Sequence, residues 1–429
     1  MRILLLTTYF RPDVGANAAI MSKLADEFVA KGHQVTVLSS IPHYDSNRVW
    51  PEYAGKLVCS ERADAMQVYR VYTHVAQKKD NVAQRLMSYA SFSLLALLRG
   101  ATLSKQDVML VPSPPLSNGV IADLIGRLRG IPFVYNVQDI WPDVAVRAGV
   151  LKSPTAIQRL ERMERYVYRR SAGITVISDG FRRNLLAKGV PDEKISVISN
   201  FVDVDFITPQ PKENEFSRNQ GLNDKFVVMF AGNMGFSQGL ETVLDAAKLL
   251  DHVPSIEFLM VGNGASCSQA QTYLGELGLK NVRFLPFQPR EDLPAMYGAA
   301  DVCLVPLRRG FTAESVPSKV FTIMAAGRPA IAAVDPGSET WKLLERTNCG
   351  ICVESENPRA LADAVLCYYR DPQARLNAGL NARRCVETEF QPGEIAEQYL
   401  NAMKQASGQT RERDYQSSDP EHETNQSLN

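Results

Sequence analysis

The sequence predicts an α/β protein with two Rossmann-like, doubly wound parallel-sheet domains facing a cleft. Three observations carry that prediction. Short apolar runs alternate with amphipathic helical segments along most of the chain. The alternation stops in a polar stretch near residues 204–223 and then restarts. The chain has 429 residues, too many for one ordinary core and suited to two domains plus a tail.

The first domain is predicted over 1–203. Residues 2–8 form a short apolar run, read as a central parallel strand. Residues 17–31 follow as an amphipathic helix, stopped by Gly32, and residues 34–39 as the next strand, completing a βαβ unit. Further strands are predicted at 108–111, 133–137, 173–177 and 195–198. The second domain is predicted over 204–380, opening with a Pro-, Glu- and Asn-rich linker that runs to about residue 223. Its strands are predicted at 226–230, 256–261, 282–285, 302–305 and 330–333, with helices between. Residues 381–405 are read as helices that cross back to the first domain. Residues 406–429, polar and poor in large apolar side chains, are read as a disordered tail.

Composition excludes several function classes. Lysine plus arginine (47) balances aspartate plus glutamate (47), so overall charge favours no nucleic-acid partner. The apolar run at the N-terminus is too short for a secretory leader and reads as folded protein in the cytoplasm. Seven scattered cysteines suit a reducing compartment. Cys349 and Cys352 form a C-x-x-C, but no second pair or histidine cluster accompanies them, so a buried strand is expected there and no metal site. No G-x-G-x-x-G follows a first strand, which argues against a nicotinamide oxidoreductase.

Two loops carry the chemistry. Gly232-Asn233-Met234-Gly235-Phe236-Ser237-Gln238-Gly239 joins a strand to a helix. Its glycines allow close backbone approach, and the helix end offers free N–H groups to a diphosphate. A tight turn with no ligand is the competing reading. The second loop, 308–319, contains Arg308, Arg309 and Glu314, and ends at Ser318 and Lys319 in the first turn of a helix. A lysine there opposes the helix dipole, an unfavourable placement unless an anion sits nearby; a solvated lysine at a loop edge is the competing reading.

From Glu314 to Val334 the sequence resembles the signature of family-4 glycosyltransferases, retaining enzymes of GT-B architecture. Glu314 matches the first glutamate and Met324-Ala325-Ala326-Gly327-Arg328-Pro329 the tail; Thr322 stands where the second glutamate usually is. The resemblance extends to about residue 404 and includes Gly32-His33-Gln34-Val35, Val197-Ile198-Ser199-Asn200 and Val261-Gly262-Asn263-Gly264. Ser113-Pro114-Pro115, Gln138-Asp139-Ile140-Trp141-Pro142 and Gln238-Gly239-Leu240-Glu241 are similar to the bacterial O-antigen and capsule branch, particularly L-fucosaminyltransferases.

The resemblance implies roles. Glu314 would contact donor-sugar hydroxyls, Thr322 would face the ribose, and the region of Phe287 would hold the base. Gly15 would close over the donor phosphates beside Gly232 and Gly239. Asn233 and Gln238 occupy places where the family often has Arg and Lys. The diphosphate would therefore fall to Lys319 first and to Arg308 or Arg309 second. Asp139 would orient the acceptor hydroxyl or act as a base; capping a nearby helix or loop is its alternative. The implied donor is a UDP-sugar, with a GDP-sugar as the second choice and no metal, and the implied acceptor an undecaprenyl-diphosphate-linked saccharide at the inner face of the membrane. A sugar-nucleotide epimerase and a non-catalytic nucleotide-sugar-binding subunit are the competing readings. The apolar segment 86–98 is either a core helix or an interfacial one in peripheral membrane contact. The arginine-rich helix around residues 159–170 could face anionic lipid or simply solvent.

Overall fold

The computed structural model describes residues 1–417 apart from 14, 44–47, 76–81, 148 and 312–315. The chain folds as two compact units. Unit 1 gathers Met1–Ile177, Arg182–Ile198 and the segment from Ile395 onward; unit 2 gathers Ser178–Phe181 and Ser199–Glu394.

Unit 1 contains β1 (Arg2–Leu6), β2 (Gln34–Ser40), β3 (Val58–Ala63), β4 (Met66–Val71), β5 (Val108–Ser113), β6 (Phe133–Val137), β7 (Gly173–Val176) and β8 (Ile195–Val197). Among the described residues they form one sheet in the order β3-β4-β2-β1-β5-β6-β7-β8. β5 and β6 are buried along their whole length, as strands covered on both faces by helices must be. The sheet is parallel except at its edge, where β3 runs antiparallel to β4. That hairpin was not anticipated. β3 alternates exposed and half-buried residues, so it lacks the continuous apolar run by which the central strands are recognised.

Unit 2 contains β9 (Phe226–Asn233), β10 (Ile256–Asn263), β11 (Val282–Leu285), β12 (Val302–Pro306), β13 (Ala330–Ala333) and β14 (Gly350–Val353). All pairs are parallel, in the order β11-β10-β9-β12-β13-β14. The strand order reverses at β9 and β12, and sheets of this kind bind ligands outside the carboxyl ends of the strands at such a point. Cys349 is buried and Cys352 half-buried, both as free thiols; burial pushes Cys352 up to about 12, which keeps it an inert thiol.

Three features differ from expectation. The polar stretch before β9 is not a loose linker. Helix Glu215–Asn219 forms within it, with a reciprocal capping box between Asn214 and Ser217, and Phe216 enters the core. The helix Pro372–Glu389 stays in unit 2, and the return to unit 1 begins at Ile395, not at 381. The last helix, Pro392–Ser417, also runs past residue 405, where composition had ended it; its polar turns still satisfy the backbone. Residues 418–429 lie outside the described residues.

Candidate functional site

The site builds from the carboxyl ends of β9 and β10. Gly232 has φ +135° and Gly262 has φ +138°, and the two are register partners. A Cβ on Gly262 would lie 2.0 Å from the Gly232 carbonyl oxygen. Glycine at both strand ends therefore lets two loops close on each other. Met234 N–H donates to the Asn263 carbonyl (2.8 Å), fixing that contact. Gly239 then takes a left-handed conformation (φ +54°) and opens the helix Leu240–Leu249.

Lys319 reaches this turn from the first turn of the helix Ser318–Ala325. Its Nζ donates to Gln238 Oε1 (2.6 Å) and lies 4.0 Å from the centre of the Phe230 ring. A Cβ on Gly232 would sit 3.7 Å from the same Nζ. The residue as a whole is half-buried, but its ammonium is deep, and desolvation lowers its pKa to about 7. Among the described residues no carboxylate pairs with it. The structure thus puts a cation against Gln238 in the loop that lacks its own.

Arg308, expected as a second phosphate cation, is engaged elsewhere. Its Nη2 donates to both Glu241 carboxylate oxygens (2.9 Å each) and its Nε to the Phe236 carbonyl (2.8 Å). The guanidinium also covers the Phe236 ring. It braces the loop against the helix Leu240–Leu249 and has its charge neutralised. Arg309 is exposed, as are Asn233, Ser318 and Phe287, while Thr322 is half-buried one turn beyond Ser318. Glu314 lies outside the described residues.

Gly15 begins the helix Ala16–Ala30 in unit 1. Asp139 follows β6, next to Gln138, whose Nε2 donates to Asn136 Oδ1 (2.9 Å). Asp139 is exposed, yet the protein around its carboxyl pushes its pKa up to about 6 by desolvation. Phe230 and Glu241 had not been expected at the site as ring platform and arginine anchor. The repeated Gly-Asn pairs 232–233 and 262–263, one at each strand end, were the readable signal for the paired loops.

The arrangement joins an anion-seeking lysine, a glycine turn and a strand-order reversal. Two known families match the chain. The family described as "Glycosyl transferase 4-like domain" matches residues 15–200, and "Glycosyl transferases group 1" matches residues 212–385. The chain is a GT-B glycosyltransferase. The Escherichia coli (strain K12) protein named for colanic acid biosynthesis, glycosyl transferase WcaI, is 26% identical over 413 residues, covering 94% of this chain and 100% of its own. A Pseudomonas aeruginosa protein named as a glycosyltransferase, WbjE, is 28% identical over 60% of this chain and 65% of its own. Among solved structures, HepE from Anabaena in complex with UDP and glucose has a TM-score of 0.71 at 17% identity, covering 94% of this glycosyltransferase and 99% of HepE. Sucrose-phosphate synthase from Thermosynechococcus elongatus has a TM-score of 0.72 at 18% identity, covering 97% of this chain and 100% of its own. At such identities these two likenesses speak to the fold alone.

Proposed function

We propose that this glycosyltransferase transfers a sugar, with retention of anomeric configuration, from a UDP-sugar to an undecaprenyl-diphosphate-linked saccharide during bacterial surface-polysaccharide assembly. An N-acetyl-L-fucosamine-like amino sugar is the proposed donor group. The observation that carries the donor site is Lys319, desolvated, without a carboxylate partner among the described residues, and held under the Gly232 turn. The WcaI likeness, named for colanic acid biosynthesis, supports the polysaccharide setting. The UDP-bound HepE supports the choice of nucleotide.

In this reading the C1–O bond to the β-phosphate breaks as the acceptor oxygen bonds to C1 on the same face. The acceptor proton passes to the departing phosphate oxygen. Lys319 and the N–H groups at the helix starts stabilise the growing phosphate charge without a metal ion. Glu314 holds sugar hydroxyls and Asp139 orients the acceptor hydroxyl. The test is a panel of UDP- and GDP-sugars offered to the purified chain with lipid-linked acceptor. A UDP-sugar is expected to react with retention, and Glu314→Ala to cut transfer about 10²-fold. An inverted product sinks the mechanism; unchanged transfer in the folded variant sinks the role of Glu314.

We propose a membrane-facing surface on unit 1 as well. Among the described residues no helix is long and apolar enough to cross a membrane. The helix Val82–Ala101 buries Phe92 and Ala96 but leaves Leu86, Met87, Leu94 and Leu98 between 54% and 62% exposed. Leu128, 65% exposed, belongs to the helix Ser117–Arg129, which packs against it and carries Arg127 and Arg129 in its last turn. Apolar side chains rimmed by cations suit the surface of an anionic bilayer. The arginine-rich helix Pro154–Arg170 is a weaker candidate, since Glu164 is buried within it against Lys188 and its Arg170 shares Asp123 with Arg127. Flotation with phosphatidylglycerol vesicles is expected to carry the protein, and Leu94→Glu with Leu98→Glu to release it. Failure of the unmodified chain to float removes this surface.

A further inference from the structure

The reading of the β6 end as part of the site supports one more step. We propose that Tyr399 and Asn136 are positioning residues that hold the Gln138 side chain in place beside Asp139. Asn136 is the next-to-last residue of β6, fully buried between Tyr135 and Val137 in a parallel sheet. An amide in such a place costs several kcal/mol unless its hydrogen bonds are made. They are made, and by few groups. Asn136 Nδ2 donates to Thr175 Oγ1 (3.0 Å) and to the Tyr399 hydroxyl (2.8 Å), and its Oδ1 accepts from Gln138 Nε2 (2.9 Å).

Gln138 lies just past the end of β6, two residues beyond Asn136, where its side chain reaches back to the Asn136 amide. Thr175 is the register partner of Asn136 on β7. Tyr399 comes from the helix Pro392–Ser417, which returns to unit 1 after the whole of unit 2 has been traversed. Its ring is 1% exposed, and burial pushes its phenol pKa up, so it stays a neutral hydroxyl. The Gln138 side chain is held through Asn136, and Asn136 is held in place by two hydroxyls, each able to donate or accept.

A valine at 136 would fill the sheet at lower cost. A satisfied polar chain in a core is useful where it fixes the position of something at its end. The end of this chain of bonds is the carboxyl end of a central strand, where sheets of this type meet ligands. The last helix therefore acts on the site through Asn136 and touches no substrate itself.

Steady-state kinetics on the full chain test this, with the donor that the sugar-nucleotide panel selects and the lipid-linked acceptor. The variants are Tyr399→Phe, Thr175→Val, Gln138→Ala and the Tyr399→Phe/Gln138→Ala pair. Tyr399→Phe is expected to lower kcat about tenfold, through misorientation alone, while melting close to the unmodified protein. Gln138→Ala should lose a similar amount, and the double variant no more than Gln138→Ala alone, because the hydroxyl acts only through that amide. Thr175→Val, which removes the other grip on Asn136, should repeat the loss if Tyr399→Phe melts early. Penalties that multiply in the double variant overturn the proposal. So does unmodified kcat in Tyr399→Phe while Gln138→Ala is impaired, an outcome that leaves the β6 end in the site. Unmodified kinetics in Gln138→Ala remove the β6 reading itself, and the proposal with it.

Discussion

Lys319→Met is expected to lower sugar transfer by about 10²-fold or more and at the same time to make the folded protein more stable at neutral pH. The two effects have one cause. The ammonium is desolvated, leans on the Phe230 ring and a single amide oxygen, and has no carboxylate partner among the described residues. Its pKa falls to about 7 in the folded chain from an ordinary 10.5. Between those two values the unfolded chain holds more protons than the folded one, so stability rises with pH across the window. Below about pH 7 the whole penalty is present; above about 10.5 it is gone. Methionine keeps the apolar stem and removes the penalty. The gain is about 1–3 kcal/mol at pH 7, discounted for the solvent that still reaches the residue. Melting curves for the two proteins should converge as pH rises toward 10. An anion reverses the balance by holding the proton on Lys319. UDP should therefore bind more weakly to the unmodified protein as pH climbs above 7, and Lys319→Met should lose most of that slope. Calorimetry at several pH values measures both. A flat pH profile in the unmodified chain, or a less stable Met variant at pH 7, removes the site from Lys319.

The central strands and the site were legible in the sequence to different degrees, for physical reasons. β1, β5, β6, β9 and β10 are largely buried, so each is written as a mostly apolar run, broken by Asn136 in β6 and Glu257 in β10. The β3–β4 edge is half exposed and its pattern is weaker. The 200–223 stretch looks like a linker because its polarity is high, yet a capping box and one buried Phe216 are enough to fold it. The conflict of a lysine with a helix dipole was visible at Lys319, and the structure adds what the lysine rests on. Sequence order could not say which arginine was neutralised. Arg308 and Arg309 are adjacent in the chain, and only the three-dimensional approach of Glu241 separates them. Likewise nothing in the spacing of Asn136 and Tyr399, 263 residues apart, joins them.

Gly262→Ala is expected to damage the donor site more deeply than removal of a contacting side chain, because it changes the backbone that shapes it. The position fails for alanine twice. Its φ of +138° is a region that L side chains rarely adopt, which costs about 1–3 kcal/mol by itself. The added Cβ would also lie 2.0 Å from the Gly232 carbonyl oxygen and 3.0 Å from its carbonyl carbon. Those are backbone atoms of the neighbouring strand and cannot rotate aside. β9 and β10 must therefore separate at their carboxyl ends, breaking the pairing of Asn263 with Asn233 and the Met234 to Asn263 hydrogen bond. Gly232 then no longer closes over the Lys319 ammonium. Strain and lost pairing together should lower stability by about 3–5 kcal/mol, and UDP binding should disappear even where the variant remains folded. Gly275→Ala is the control. It lies in the exposed helix Cys267–Leu277 with nothing within 4 Å of its Cβ, and should be neutral or slightly stabilising. Urea unfolding and UDP calorimetry on both variants separate a local effect from a general one. A Gly262→Ala protein that melts and binds like the control would mean that the two strand ends do not need this close approach, and the donor site would lose its floor.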